Sequence, residues 1–118
     1  MSRDIFVQDI PPGVTAVAEI PQDFEPRMLP CSRSEVIRVI RSLAPHANAS
    51  DAAWVTIESN GSYHIEVNLG AEEALDSFAF HVRGGVEAEI LISRILRELG
   101  LRAFDVDSDC GIFEPREA

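Results

Sequence analysis

Residues 54–83, WVTIESNGSYHIEVNLGAEEALDSFAFHVR, decide the fold. They divide into three runs with a period of two: Trp54–Glu58, Tyr63–Leu69 and Ser77–Val82. In the second run Tyr63, Ile65, Val67 and Leu69 alternate with His64, Glu66 and Asn68. In the third, Phe78, Phe80 and Val82 alternate with Ser77, Ala79, His81 and Arg83. Successive side chains of a strand point to opposite faces. The pattern therefore predicts three strands with one face buried and the other in water or against a ligand. Asn60-Gly61 lies between the first two runs. A two-residue hairpin turn needs positive φ at both central positions, which Asn-Gly adopts readily. The stretch thus reads as an antiparallel meander.

Upstream of it, Ser32-Arg-Ser-Glu35 has the form of a capping box, in which Ser32 accepts from the Glu35 amide and the Glu35 carboxylate reaches back. Val36, Ile37, Val39, Ile40, Leu43 and Ala44 then fall on one side of a helix, and Pro45 stops it. Residues 11–31 hold five prolines, which excludes a helix or central strand. They also hold Val14, Val17, Ile20, Phe24, Met28 and Leu29, so an ordered arm over the domain is expected, with a short strand at Ala16–Ile20. Asp4–Ile10 carries apolar groups on both faces and reads as a first strand inside the sheet.

Downstream, Arg83-Gly84-Gly85 turns the chain into a second helix over Glu87–Leu99, which Gly100 ends as a left-handed cap. Leu101–Val106 reads as the last strand. Ile112-Phe113 could add a short one before a flexible tail, 114–118. The order predicts a single α+β domain over residues 1–118: a mostly antiparallel five-stranded sheet with two helices packed on one face. Each helix could serve as a crossover between parallel neighbours.

Of the 118 residues, 46% are apolar or aromatic, enough for one core. Twenty acidic residues against ten basic ones leave a net charge of −10, and every basic residue is arginine. Phosphate backbones and anionic membranes repel such a surface, so nucleic acid and membrane are not expected partners. A basic protein is the partner such a field would steer. The first residues lack an apolar signal core, and a cytoplasmic setting is expected. Cys31 and Cys110 are not expected to pair there, and with the spacing of the three histidines they form no zinc pattern.

Three stretches carry candidate chemistry. His64, Glu66, Asn68, His81 and Arg83 fall on the polar face of the meander, where imidazole beside carboxylate and guanidinium suits acid–base work or ligand binding; cross-strand ion pairs on a solvated face are the plain alternative. Arg83, Gly84 and Gly85 stand at a helix N-terminus that could hold an anion, although Glu87 and Glu89 oppose one. Asp105-Val-Asp107-Ser-Asp109-Cys-Gly111 resembles a calcium loop, but its glycine is one position late and its twelfth position is Arg116. No metal site, cofactor fingerprint or catalytic residue is assigned.

Asp4–Ile10, Ile65-Glu-Val-Asn-Leu-Gly70 leading to His81-Val-Arg-Gly-Gly85, and Leu99-Gly-Leu-Arg-Ala-Phe-Asp105 resemble a group of small uncharacterised bacterial cytoplasmic proteins with no assigned activity. The resemblance implies a bacterial source and a free-standing domain, and it transfers no functional residue. In size and charge the chain is also similar to immunity proteins that neutralise toxins, an analogy only. The expected function is a non-enzymatic protein-binding module. The alternative is a small-anion or small-ligand-binding domain, enzymatic or not, on the polar sheet face.

Overall fold

The computed structural model describes residues 2–115. It has two α-helices and one five-stranded antiparallel sheet. The strands are β1 (Ser2–Gln8), β2 (Trp54–Ser59), β3 (Tyr63–Asn68), β4 (Ser77–Gly84) and β5 (Ala103–Asp105). The helices are α1 (Arg33–Leu43) and α2 (Val86–Leu99). Strand order is β2-β3-β4-β1-β5. All four pairings are antiparallel, so neither helix joins parallel neighbours. Instead α2 leads from β4 to β5, which run parallel with β1 held between them.

The alternation read from residues 54–83 sets the core. Val55, Ile57, Ile65, Val67 and Phe80 are fully buried, with Ile5 and Val7 from β1 beside them. Val36, Val39 and Ile40 of α1 and Ala88, Leu91, Ile92, Ile95 and Leu96 of α2 join the same cluster. Both helices therefore cover one face of the sheet and leave the other without a layer. β1 is an interior strand, as its two apolar faces predict. Its second apolar side chain, Phe6, lies on the uncovered face and is 43% exposed.

Local chemistry fixes the ends of the elements. Ser32 accepts from the Glu35 amide at 3.2 Å, and the Glu35 carboxylate accepts from the Ser32 amide at 3.1 Å, completing the capping box. Gly100 closes α2 in the left-handed region at φ 67°. Asn60 and Gly61 both have positive φ, 26° and 81°. The hairpin loop is one residue longer than the two-residue turn expected, because Ser59 pairs with Tyr63. Gly84 has φ 141°, and a Cβ there would lie 2.6 Å from Cβ of Tyr63, so glycine is required where β4 passes its partner strand.

Several expected boundaries move. The first strand occupies 2–8 rather than 4–10. The short strand expected at Ala16–Ile20 is a 3-10 turn over Val17–Glu19. There the Glu19 and Ile20 amides donate to Ala16 and Val17 carbonyls three residues back, and the Thr15 amide donates to the Glu19 carboxylate at 2.7 Å. Local bonds thus satisfy groups that a strand would present to a neighbour. The last strand is shorter than Leu101–Val106. Leu101 spends its amide on the α2 carbonyl of Leu96 at 2.9 Å, and Asp105 begins a turn. Ile112 makes one bridge to Phe104 rather than a strand. Of the tail expected at 114–118, Glu114 and Pro115 are exposed and residues 116–118 lie outside the described ones. No described helix is long and apolar enough to cross a membrane.

Two substitutions separate core from cap. Phe80→Ala should cost about 3–5 kcal/mol, as truncation of a buried aromatic does. Ser32→Ala should cost about 0.5–2 kcal/mol through the lost cap. Denaturant melts of both variants check this ranking, and equal losses would contradict it.

Candidate functional site

Register places the uncovered face in rows that cross the strands. One row runs Trp54, Asn68, Ala79, Phe6, Phe104 across all five. The next runs Thr56, Glu66, His81, Asp4, and the third Glu58, His64, Arg83. His64, Glu66, Asn68, His81 and Arg83 thus share this face, as their alternation against buried neighbours requires.

The imidazoles are held by carboxylates. His64 Nδ1 lies 2.7 Å from Glu58 Oε1 and Nε2 lies 3.1 Å from Glu66 Oε1. His81 Nδ1 lies 2.7 Å from Asp4 Oδ1, and its ring sits 5.6 Å from that of Trp54. Trp54 is half-buried against this ring rather than free. Arg83 is exposed and makes no ion pair among the described residues. Asp4, Glu58 and Glu66 set three carboxylates against this one guanidinium, so the face is acidic while the histidines are neutral.

Two grooves open on this side. One, of about 890 Å³ at the hairpin tip, is lined by Glu58, Asn60, His64, Arg83 and, from the loop after α1, His46 and Asn48. Glu66 and His81 stand outside it, so the four groups do not converge on one small ligand. The other, of about 680 Å³, is floored by Phe6, Ala79 and Phe104 and walled by Met28 and the 70–77 connection with Glu72 and Asp76. This wall is fixed to α1. The Arg33 amide donates to the Glu73 carbonyl at 2.8 Å, the Arg33 Nε donates to the Gly70 carbonyl at 2.9 Å, and the Ser34 hydroxyl donates to the Glu73 carboxylate at 3.0 Å. That hydroxyl bond holds the Glu73 carboxyl below its ordinary range. Phe6, Phe104 and Met28 were not singled out by motif. For Phe6 the signal was the apolar residue on the second face of β1.

The other two candidate stretches are committed to structure. Gly85 is the N-cap of α2 and Gly84 makes the close approach to Tyr63. Val82 is buried, so Arg83 points away from the helix side, and the arginine and the helix N-terminus do not meet. In the aspartate loop, Asp105 is fully buried and receives Arg3 Nε at 3.3 Å, with a second, closer contact from the same guanidinium. Asp105 also accepts from the Asp107 amide at 3.0 Å. Arg3 further bonds Glu89 of α2 and lies over the Phe113 ring, 5.8 Å from its centre. The hydrogen bond to Asp105, then the one to Glu89, raises the Arg3 pKa. The loop is therefore a turn locked to β1. Among the described residues no three His, Cys, Asp or Glu side chains are grouped to hold a metal. Cys31 is buried, and burial together with the charge of Glu35 raises its thiol pKa, the opposite of an activated nucleophile.

The chain matches no protein-family model, and no curated protein and no solved structure is significantly similar to it.

Arg3→Met should cost about 3–5 kcal/mol, because it leaves a buried carboxylate unpaired. Adding Asp105→Asn should recover part of that loss. Denaturant melts of the single and double variants test the coupling, and strictly additive losses would refute it.

Proposed function

We propose that this protein is a non-enzymatic binding module that engages another protein through the uncovered sheet face. The observation that carries the reading is the row Trp54–Asn68–Ala79–Phe6–Phe104, in which four apolar side chains, with Phe6 43% exposed, and the Asn68 amide lie on a face that no described helix covers, bordered by ionisable groups. A partly exposed, mostly apolar patch rimmed by polar residues suits a contact surface. Its acidic border favours a basic partner over an anionic one. The small-anion reading finds less support, because Glu58 and Glu66 occupy His64 and Asp4 occupies His81. The unpaired thiols of Cys31 and Cys110 are compatible with the cytoplasmic bacterial setting we assign to it.

Imidazole ordinarily changes charge between about pH 5 and 8. His64 faces Glu58, Glu66 and Arg83, and His81 faces Asp4, Glu66 and Trp54. A proton taken up by either ring would move the face from acidic toward neutral and weaken the binding of a basic partner.

The test is affinity capture from the source cell with three baits: the wild-type chain, Phe6→Ser, and His64→Ala combined with His81→Ala. A partner held by wild type, lost with Phe6→Ser and released at low pH only when the histidines are present is the expected result. A partner held equally by all three baits at both pH values would remove this face and leave the acidic loops, 72–76 and 105–109.

A further inference from the structure

Resting on that reading, we infer that the segment received is a cationic amphipathic helix of another protein, with its apolar stripe along the Phe6 row and its Lys/Arg flanks against carboxylates on both sides. The first ground is that strand addition is blocked. At the β2 edge Thr56 exchanges both backbone bonds with Asn48, at 2.8 and 3.0 Å. At the β5 edge the Asp105 amide donates to Gly111 and the Phe113 amide to Ala103, both at 2.9 Å. A peptide seeking backbone partners finds the middle of each edge occupied, whereas a helix satisfies its own backbone and can lie on a face.

The second ground is shape. Strands about 4.8 Å apart make the five-residue row about 19 Å long. About 13 residues of helix span that length. The groove of about 680 Å³ over Phe6, Ala79 and Phe104 gives the stripe a seat, and Phe6 is 43% exposed within it.

The third ground is charge complementarity. Asp4 and Glu66 stand in the row on one side of the apolar band, and Glu72 and Asp76 line the groove on the other. Long basic side chains can lay their stems on apolar surface while their heads reach such carboxylates. A second copy of this chain is disfavoured, since each carries a net charge of −10 and would bring the same carboxylate-bordered band against itself.

The test is selection from a display library of random peptides of about 16 residues, a length that covers the row. The library is panned on the wild-type chain and counter-panned on Phe6→Ser. Phe6 is partly exposed, so this variant should fold; Glu66→Gln and Glu72→Gln, at exposed positions, provide an independent pair. Expected are Phe6-dependent peptides of net positive charge with apolar residues at helical spacing. Their affinity should fall about tenfold between about 0.05 and 0.5 M salt, and also in the Glu66→Gln/Glu72→Gln double variant. Phe6-dependent peptides that are neutral, acidic or alternating in pattern would overturn the inference and leave the protein-binding face standing. Recovery of no Phe6-dependent peptide would overturn both. Concentration-dependent dimerisation abolished by Phe6→Ser would assign the face to a second copy and overturn the helix.

Discussion

A pleated sheet has two faces, and the described helices cover only one. The constraint comes from helix placement: α1 and α2 pack against each other and on the same side of the sheet, and their apolar stripes are consumed by Ile5, Val7, Val55, Ile57, Ile65, Val67 and Phe80. Everything on the alternate positions of the same strands is thereby turned outward. The acidic rows, the histidine–carboxylate pairs and the exposed Phe6 are consequences of this single placement. If a sheet face stays open by construction, its composition is free to serve contact rather than packing. A band of phenylalanine and tryptophan among carboxylates fits contact better than solvation.

The remaining specialised chemistry serves to hold that frame. The Arg3–Asp105–Glu89 group joins β1, β5 and α2 on the covered side, at the sheet edge where β5 is only three residues long. Arg102 donates to the Pro11 carbonyl at 3.3 Å and also to that of Val14, fastening the start of the arm. Leu29 and Cys31 bring the end of the arm into the core, and the Leu29 amide bonds the Leu75 carbonyl at 2.8 Å. A proline-rich segment with a single 3-10 turn at Val17–Glu19 is thus fixed at both ends, and it delivers Met28 to the rim of the groove.

What could be read from the residues was local. The meander, the Ser32–Glu35 box and the Gly100 cap each depend on side chains a few positions apart. The polar face carrying His64, Glu66, Asn68, His81 and Arg83 follows from alternation alone. Strand order was not legible, because β1 enters between β4 and β5 through pairings such as Asp4 with His81, distant in sequence. For the same reason the role of Asp105 was hidden: its partner Arg3 lies near the other end of the chain, and an Asp-rich turn looks alike whether it waits for a cation or already holds an arginine. At 16–20 a short strand was expected, but the Val17 amide meets the Cys110 carbonyl at 2.8 Å while the Glu19 and Ile20 amides bond three residues back, so the backbone turns on itself. The apolar row was half visible, since Phe6 opposes Ile5 and Val7, yet its continuity with Ala79, Asn68 and Phe104 exists only in the register.

The claim on which all this rests is that one face of the sheet is open and the other closed. It can be measured on the wild-type chain in solution by nuclear magnetic resonance with a soluble paramagnetic cosolute, which broadens the signals of side chains it can reach. Strong broadening at Phe6, Asn68, His81 and Phe104, with Ile5, Ile65 and Phe80 protected, is the predicted result. Protection of Phe6 and Phe104 equal to that of Phe80 would contradict the account, because it would mean that the face is covered in the molecule itself.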